Sequence, residues 1–364
     1  MQFDRRLIAH FDWGLFGAAF ALALLGVFAI YSATEGSAVR SGLYLKQLLW
    51  VLVGLFALFL ALSCSPRTVE RFAYLLFGLS LLALALVPFF GRVGLGAQRW
   101  IKVGPFAFQP SEFVKVGLIL FLAKYFEDHK ERLKDPKVFL LPALLTLIPA
   151  ALVLKQPDLG TAILLVLISL SMMLLVGLKP RHLLPVAVAG LALAPILWEF
   201  LKEYQKRRIL VFLNPNLDPL GAGYHVAQSK IAVGSGMFLG KGLLSAPQSQ
   251  LRFLPESHTD FIFSTLAEQW GFLGSLLLLL VYTYLISRGL EVTREAQDLF
   301  TALLGFGITT LLALHVLINV GMVTGTLPVV GISLPLLSYG GSSMAATMLA
   351  LGLLLSVRMR RFMY

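Results

Sequence analysis

The chain has 364 residues, of which 58% are hydrophobic and only 13% are charged. A single soluble core of this size could not hide so much apolar surface. The apolar residues form continuous blocks, each long enough to cross about 30 Å of hydrocarbon as a helix. Continuous rather than alternating blocks favour helices over a barrel, so we expect an all-α polytopic integral membrane protein.

The formal net charge is +11, and the distribution of the basic residues between the loops indicates its cause. If the N-terminus is inside, the inner segments hold 16 of the 30 Lys and Arg residues, whereas the short outer loops hold six. This bias predicts that the N and C termini are both cytoplasmic. No basic stripe carries interleaved aromatic residues, so we expect no nucleic-acid partner.

Turn residues and charges divide the chain into about ten predicted transmembrane helices. The first apolar block is longer than the core of a signal peptide, and we expect it to be retained as a membrane span. The predicted spans are 11–31, 43–62, 70–90, 111–126, 138–154, 160–177, 182–201, 260–286, 298–322 and 338–357.

Three predicted outer segments interrupt the helical pattern: 91–110, the long extracytoplasmic loop 202–258, and a re-entrant-like segment at 325–341. Long loops in compact bundles are usually functional. Irregular backbone at membrane depth is tolerated only against protein or a wet cavity. We therefore expect one transmembrane domain over 1–364, with an extracytoplasmic cavity between these segments.

Asp260 stands at the predicted outer mouth of the eighth span. A carboxylate at the rim of an apolar span can have a raised pKa, as suits a general base whose substrate lies partly in lipid. The alternative is a capping box, since Ser257 and Asp260 have the required spacing. A helix cap tolerates Asn, whereas a general base replaced by Asn loses most of its rate.

Other charged residues are predicted near the same mouth. Glu112 and Lys115 share one face of the fourth span, as a functional pair or as an inert ion pair. Arg99 could bring a cation to the mouth or anchor the chain at the interface. Asp158 is expected to cap the sixth span, and could also bind a cation or a sugar hydroxyl.

Further polar residues inside the predicted spans are expected to make structural contacts. Glu268 is interpreted as a buried hydrogen-bonded acid, and His315 with Asn319 as a polar contact. No His/Cys cluster has metal-ligand spacing, and no Walker, dinucleotide or GxSxG motif occurs.

Several stretches of the sequence carry motifs that can be compared with known proteins: 99–101, 109–112 with Lys115, 156–161, 255–263, 268–271, 319–322 and 327–343. These motifs resemble those of the SEDS family (shape, elongation, division and sporulation), and the similarity extends over nearly the whole chain. The short termini are more similar to those of the elongation member than to those of the division member.

The resemblance implies a peptidoglycan glycosyltransferase that polymerises lipid II at the outer face of the bacterial cytoplasmic membrane. It implies that Asp260 is catalytic, with Glu112 and Lys115 in the same cavity. We add Arg99, Asp158, Glu256 and His258 as candidate substrate-binding residues. The implied protein partner is a class B penicillin-binding protein, the transpeptidase of the elongation complex. Membrane lipid is expected to surround the helices.

We hypothesise that Asp260 removes the proton from the 4-hydroxyl of the acceptor GlcNAc, which attacks the anomeric carbon of the donor MurNAc while undecaprenyl pyrophosphate leaves. Lys115, Arg99 or a divalent cation such as Mg²⁺ would stabilise the developing charge. Two alternatives remain open. The first is a lipid II flippase or other transporter, because proteins with about ten spans, charges inside them and broken helices are commonly transporters. The second is a non-catalytic scaffold of the cell-wall machinery.

Overall fold

The computed structural model of the chain is mostly helical. Its description covers residues 10–34, 42–94, 97–104, 106–182, 203–214, 217–218, 221–244, 253–254 and 256–361, with residues 184, 188, 192, 198, 199 and 248. The helices are α1 Trp13–Thr34, α2 Leu43–Ser63, α3 Pro66–Phe90, α4 Pro110–Asp128, α5 Leu140–Lys155, α6 Leu159–Val176, α7 Glu203–Leu213, α8 Ala222–Ser235, α9 Ile262–Arg294, α10 Leu299–Thr324 and α11 Gly341–Arg360.

Eight helical stretches in the described part of the chain are long and apolar enough to cross a membrane. They correspond to eight of the ten predicted spans. The fourth prediction corresponds to α4, which carries more charge than the eight but is almost wholly buried in the bundle. The seventh prediction, 182–201, falls largely outside the described residues.

The segment 91–110 forms a small antiparallel sheet, which the sequence pattern did not predict. The strands β1 Gly91–Gly94, β2 Ala97–Val103 and β3 Phe106–Phe108 follow one another in the order β1-β2-β3. Ile101 in the middle strand pairs with Gly91 on one side and with Phe108 on the other. The sheet holds Arg99 at the end of the bundle where α3 finishes and α4 begins.

Two helices occupy much of the stretch predicted as one long loop. Ser229 in α8 donates a hydrogen bond of 2.7 Å to the Val323 carbonyl in α10 and lies 2.9 Å from the Ser264 hydroxyl in α9. These contacts hold α8 against the two longer helices. The helix α8 is therefore packed in the bundle, where the sequence pattern indicated a loop.

A kink in α9 accommodates the residues that follow α8. Gly271 has φ 65° and ψ −160°, a conformation available to glycine but outside the helical range. The Gly240 nitrogen would lie 2.3 Å from a Cβ at this position. Backbone groups at 237–242 bond to residues 268–273 in place of the interrupted helical hydrogen bonds. Lys241 also contacts buried Glu268 at 2.7 Å, which confirms Glu268 as a hydrogen-bonded acid.

The segment between α10 and α11 has no regular secondary structure and is packed tightly against α1. A Cβ at Gly26 in α1 would lie 2.7 Å from the carbonyl oxygens of Leu336 and Leu337. The predicted start of the last span at 338 is therefore three residues early, because 338–340 still belong to this non-helical segment.

The beginning of α1 and the ends of α9 and α11 meet at the opposite end of the bundle. Asp12 precedes α1 and is buried, and it accepts a hydrogen bond of 2.7 Å from Arg288 in α9. Arg358 in α11 lies 3.7 Å from the same carboxylate. The N-terminal end of α1 and the C-terminal end of α11 thus lie on the same side of the molecule.

Candidate active site

A cavity of about 610 Å³ opens at the end of the bundle where α4, α6, α9 and α11 begin. Its walls come from the sheet, the helix starts and the segment between α10 and α11. The lining residues include Trp50, Arg99, Trp100, Gln109, Glu112, Asp158, Thr161, Arg208, Glu256, His258, Thr259, Asp260, His315, 330–333 and 339–343.

Asp260 lines this cavity and is held in place through its backbone. Its carbonyl accepts a 2.9 Å hydrogen bond from the amide of Asn319, which also donates to the Ile332 carbonyl at 2.7 Å. The Asp260 carboxylate lies beside Gly331, where a Cβ would be 3.3 Å from Oδ2. Its position is thus fixed by α10 and by the segment before α11.

The capping alternative for Asp260 does not match the observed geometry. The helix α9 begins at Ile262, its N-cap residue is Phe261, and no side chain caps it. Within the described parts of the chain, the Asp260 carboxylate accepts no hydrogen bond and makes no ion pair. Its side chain is therefore available to a ligand in the cavity.

The other three acids among the described lining residues of the cavity are each engaged. Glu256 accepts a 2.9 Å hydrogen bond from the Thr259 hydroxyl. Asp158 caps α6, as predicted, by accepting from the backbone nitrogen of Thr161 at 3.1 Å and from its hydroxyl at 3.0 Å. This contrast singles out Asp260 as the unengaged carboxylate among the four.

Burial raises the pKa of Asp260 to about 6, and repulsion from the neighbouring Glu256 acts in the same direction. The positive charges of Arg208 and Arg99 oppose this change only in part. A carboxyl group with this pKa is mostly ionised at neutral pH but is a stronger base than an ordinary aspartate.

Glu112 and Lys115 form an ion pair of 3.0 Å that continues to a third residue. The Lys115 ammonium lies 3.0 Å from Nε2 of His315. Because an ammonium can only donate, Nδ1 of His315 carries the ring proton and donates to the Ser333 carbonyl at 3.0 Å. Glu112 and His315 line the cavity, whereas Lys115 lies behind them and is nearly inaccessible.

Arg99 reaches from β2 to the turn between α5 and α6. Its Nε donates to the Gln156 carbonyl at 2.9 Å, and Nη2 donates to the Pro157 carbonyl. Nη1 lies 3.6 Å from the Asp158 carboxylate. Arg99 therefore donates hydrogen bonds to carbonyls at the C-terminal end of α5, where a positive charge is favourable. Its guanidinium still lines the cavity.

The chain around His258 is tied to the segment before α11. The Ser338 hydroxyl donates to the Thr259 carbonyl at 2.7 Å, and the Tyr339 nitrogen donates to the His258 carbonyl at 2.9 Å. The His258 and Tyr339 rings are 5.8 Å apart. Two stretches that are separated by about eighty residues in the sequence thus form one wall.

Sequence reasoning missed the part that Arg208 and Asn319 play in the site. Arg208 lines the cavity from α7, and its charge acts on Asp260. The run of basic residues 206–208 within a predicted loop was the available signal. For Asn319, the predicted polar contact with His315 underestimated its role, because it bonds the Asp260 backbone instead.

No group of three or more His, Cys, Asp or Glu side chains within the described residues is arranged to hold a metal ion. The four cavity acids do not converge on one point, and three of them are already bound to neighbouring side chains. The described residues therefore do not fit a metal centre held by the protein alone.

A family model described as a cell cycle protein, FTSW_RODA_SPOVE, matches residues 12–362. The chain belongs to this family. Members of the FTSW/RODA/SPOVE family among the curated proteins match it over almost its full length. The peptidoglycan glycosyltransferase MrdB of Escherichia coli is 41% identical over 357 residues, covering 97% of this chain and 95% of its own. The peptidoglycan glycosyltransferase RodA of Treponema pallidum is 35% identical, covering 98% and 99%.

Two solved structures of family members share the fold. One chain, from a peptidoglycan synthase complex that coordinates polymerization and crosslinking, has a TM-score of 0.82 and 36% identity, covering 97% of this chain and 99% of that one. The rod shape determining protein RodA of Thermus thermophilus has a TM-score of 0.72 and 35% identity, covering 97% and 98%. An all-α polytopic membrane fold is thereby confirmed.

Proposed function

We propose that the protein polymerises lipid II into glycan strands during cell elongation, with Asp260 as the general base. Its membership in the FTSW/RODA/SPOVE family makes it a peptidoglycan glycosyltransferase, since full-length relatives at 35–41% identity carry that name. Family membership does not assign roles to individual residues. The geometry of the cavity supports the individual roles.

The observation that carries the proposal is the unengaged Asp260 carboxylate. Three cavity acids are bound to Lys115, Thr161 and Thr259, whereas Asp260 faces the cavity with only its backbone fixed. A general base must be held rigidly yet keep its oxygens available for the proton it removes. Its pKa of about 6 suits that task at neutral pH.

In this mechanism, Asp260 removes the proton from the 4-hydroxyl of the acceptor GlcNAc. The acceptor oxygen forms a bond to the anomeric carbon of the donor MurNAc, and the bond to the undecaprenyl pyrophosphate oxygen breaks. The electron pair of that bond leaves with the pyrophosphate, which needs charge stabilisation more than protonation. The proton remains on Asp260 until solvent removes it.

Charge on the leaving diphosphate would be stabilised by the cations that line the cavity, Arg99 and Arg208. Lys115 is buried behind Glu112 and His315, so its contribution would be to hold Glu112 in position. A divalent cation such as Mg²⁺ stays a proposal. Since the described residues do not form a metal centre, the diphosphate itself would have to supply ligands.

The site is proposed to face the extracytoplasmic side, because the positive-inside pattern places both termini in the cytoplasm and the cavity lies at the other end. We propose a class B penicillin-binding protein as the partner. This proposal is supported by the fold shared with a chain from a complex that coordinates polymerization and crosslinking.

Polymerisation of lipid II by the purified protein, with and without its partner, tests the role of Asp260. We expect Asp260→Asn to lower the rate by about 100- to 10,000-fold, the usual effect of losing a general base. Asp298→Asn is the matched control, because Asp298 caps α10 at the opposite end of the bundle. A cap should accept this substitution with little loss.

Three outcomes would contradict the proposal. Normal glycan synthesis by Asp260→Asn would exclude the general-base role. An equal loss of activity in Asp298→Asn would show that the effect comes from misfolding. Transfer of lipid II across vesicle membranes by the wild type, with no polymer formed, would favour a flippase.

A further inference from the structure

A groove lies next to the cavity, where α7, α8 and the chain after α10 meet. Its floor is apolar and comes from Val211 and Phe212 in α7, Val226 in α8 and residues 327–329. The polar side chains among its described lining residues are the cations Arg208 and Lys230. Arg208 also lines the cavity that contains Asp260, so the groove and the cavity share one wall.

Lys230 differs from the other nearby cations in its surroundings. Lys206, Arg207 and Lys241 lie 4.0, 3.7 and 2.7 Å from a carboxylate. Lys230 is exposed and makes no ion pair with any residue the structure describes. Its stem lies across Gly325, where a Cβ would be 2.0 Å from Cε.

The helix α7 has the character of a helix at a membrane surface. Its basic residues 206–208 are followed by the apolar stretch 209–213, and Leu210, Phe212 and Leu213 are exposed. Amphipathic helices with Lys and Arg on their polar face and apolar residues on the other face lie at the boundary between headgroups and acyl chains. This is the level at which the phosphates of a membrane lipid are found.

Charge and polarity together specify the chemistry of a ligand. Arg and Lys are the side chains best suited to phosphate oxygens, and two cations match the charge of a diphosphate better than that of a monophosphate. The apolar floor beside them matches a hydrocarbon chain. The hydroxyl of Ser229 bonds α8 to α10, which keeps Lys230 at a fixed distance from the neighbouring chain.

We propose that Arg208 and Lys230 form a second binding site, outside the catalytic cavity, for the diphosphate of a polyprenyl diphosphate lipid. This inference rests on the proposed function, whose lipid substrate and released product both contain that group. Because Arg208 borders both places, a diphosphate held here could pass between the membrane surface and the cavity without leaving a cationic surface.

The test uses the purified full-length protein in detergent and farnesyl diphosphate as the probe. Binding is measured by isothermal titration calorimetry for wild type, Lys230→Gln, Lys230→Arg and Lys102→Gln. Lys102 is exposed on β2 at the same end of the molecule but lines neither the cavity nor the groove. Farnesol, farnesyl monophosphate, inorganic pyrophosphate and micellar phosphatidylglycerol are the comparison ligands.

We expect Lys230→Gln to weaken binding of farnesyl diphosphate about ten-fold, as for the loss of one charge-assisted hydrogen bond. Lys230→Arg should retain most of the affinity, and Lys102→Gln all of it. Farnesol should not bind, and inorganic pyrophosphate should bind more weakly than the lipid. Equal affinities of Lys230→Gln and Lys102→Gln would overturn the proposal. So would displacement of the probe by phosphatidylglycerol at comparable concentration, which would indicate a general anionic-lipid surface.

Failure of this site is distinguishable from failure of the proposed function. The binding assay contains no sugar and requires no turnover, whereas the polymerisation assay depends on Asp260. Polymerisation by the wild type together with no effect of Lys230→Gln on diphosphate binding would reject only the second site. Binding that depends on Lys230, with no polymer formed under any condition, would reject only the enzymatic function.

Discussion

At the scale of single residues, Asp260 combines a fixed backbone with an available carboxylate. The side-chain amide of Asn319 donates to the backbone carbonyl of Asp260, so the residue is positioned without a hydrogen bond from any described residue to its carboxylate oxygens. The three other cavity acids are instead held through their carboxylates. The Asp260 carboxylate is thus available to a substrate, whereas the other three carboxylates stabilise the walls of the cavity.

The pH dependence of polymerisation should report the ionisation of Asp260. A general base acts in its deprotonated form, and burial raises the pKa of this carboxyl to about 6. Activity should therefore be constant above this pH and fall about ten-fold per unit below it. Initial rates between pH 4.5 and 8 measure the midpoint.

The neighbouring charge provides a variant for the same measurement. Because Glu256 raises the pKa of Asp260 by repulsion, Glu256→Gln should move the midpoint to lower pH. Glu291→Gln, which removes an acid at the opposite end of the bundle, should leave the midpoint unchanged. A midpoint that is the same in all three proteins would show that another group controls the profile.

At the scale of elements, the long helices were predictable because apolar blocks of about twenty residues can satisfy their backbone in lipid only as helices. Predicted and observed limits differ by a few residues, for example 70–90 against Pro66–Phe90. The additional turn in α3 comes from Ser65, whose hydroxyl accepts from the Thr68 nitrogen at 3.2 Å and starts the helix earlier.

The sheet and the start of α9 could not be predicted in the same way. The strands β1–β3 are only three to seven residues long, and β1 begins and ends with glycine, so the segment has no clear alternation. The spacing of Ser257 and Asp260 matches a capping box, but the Ser338 hydroxyl bonds the Thr259 carbonyl from a distant part of the chain. Tertiary contacts of this kind determine the geometry of the site, and they produce no pattern in the local sequence.

The segment before α11 depends on Gly331, which makes the shape of the cavity testable. Gly331 has φ +76°, and a Cβ would lie 3.3 Å from Oδ2 of Asp260. Gly331→Ala should therefore strain the backbone and displace the catalytic carboxylate. We expect polymerisation to fall at least about ten-fold, since small displacements of reacting groups lower rates strongly.

Gly42→Ala is the matched control for this substitution. Gly42 has a similar φ of +86°, but no atom of the described residues lies within 4 Å of the position of a Cβ. Both variants should lose about 1–2 kcal/mol of stability from the left-handed conformation. Only Gly331→Ala should lose activity beyond the fraction of protein that unfolds, and comparable activities would contradict the positioning argument.

At the scale of the whole molecule, the bundle is held together by close helix contacts rather than by apolar burial alone. Many large apolar side chains remain exposed, such as Phe56 at 71%, as expected for a surface in contact with lipid. Without a hydrophobic driving force between helices in lipid, small residues that permit close approach become important. In this chain α2 and α11 are in direct contact through Gly54 and Gly352.

The contact at Gly352 gives a prediction for the stability of the bundle. A Cβ at this position would lie 2.3 Å from the Leu58 carbonyl oxygen in α2, and backbone cannot move aside as a flexible side chain can. Gly352→Ala should therefore separate α2 and α11 and lower the free energy of unfolding by about 1–3 kcal/mol. Thermal unfolding in detergent measures this change.

Gly17→Ala is the same substitution in α1 at an open position, where no atom from the described part of the chain lies within 4 Å of a Cβ. Because alanine favours a helix over glycine by about 1 kcal/mol, this variant should be as stable as the wild type or slightly more stable. Packing predicts that the free energy of unfolding decreases in Gly352→Ala and stays the same or increases in Gly17→Ala. Helix propensity alone would predict an increase in both variants. Stabilisation by Gly352→Ala would mean that α2 and α11 are not in this close contact, and the wall that α11 contributes to the cavity would have to be placed differently.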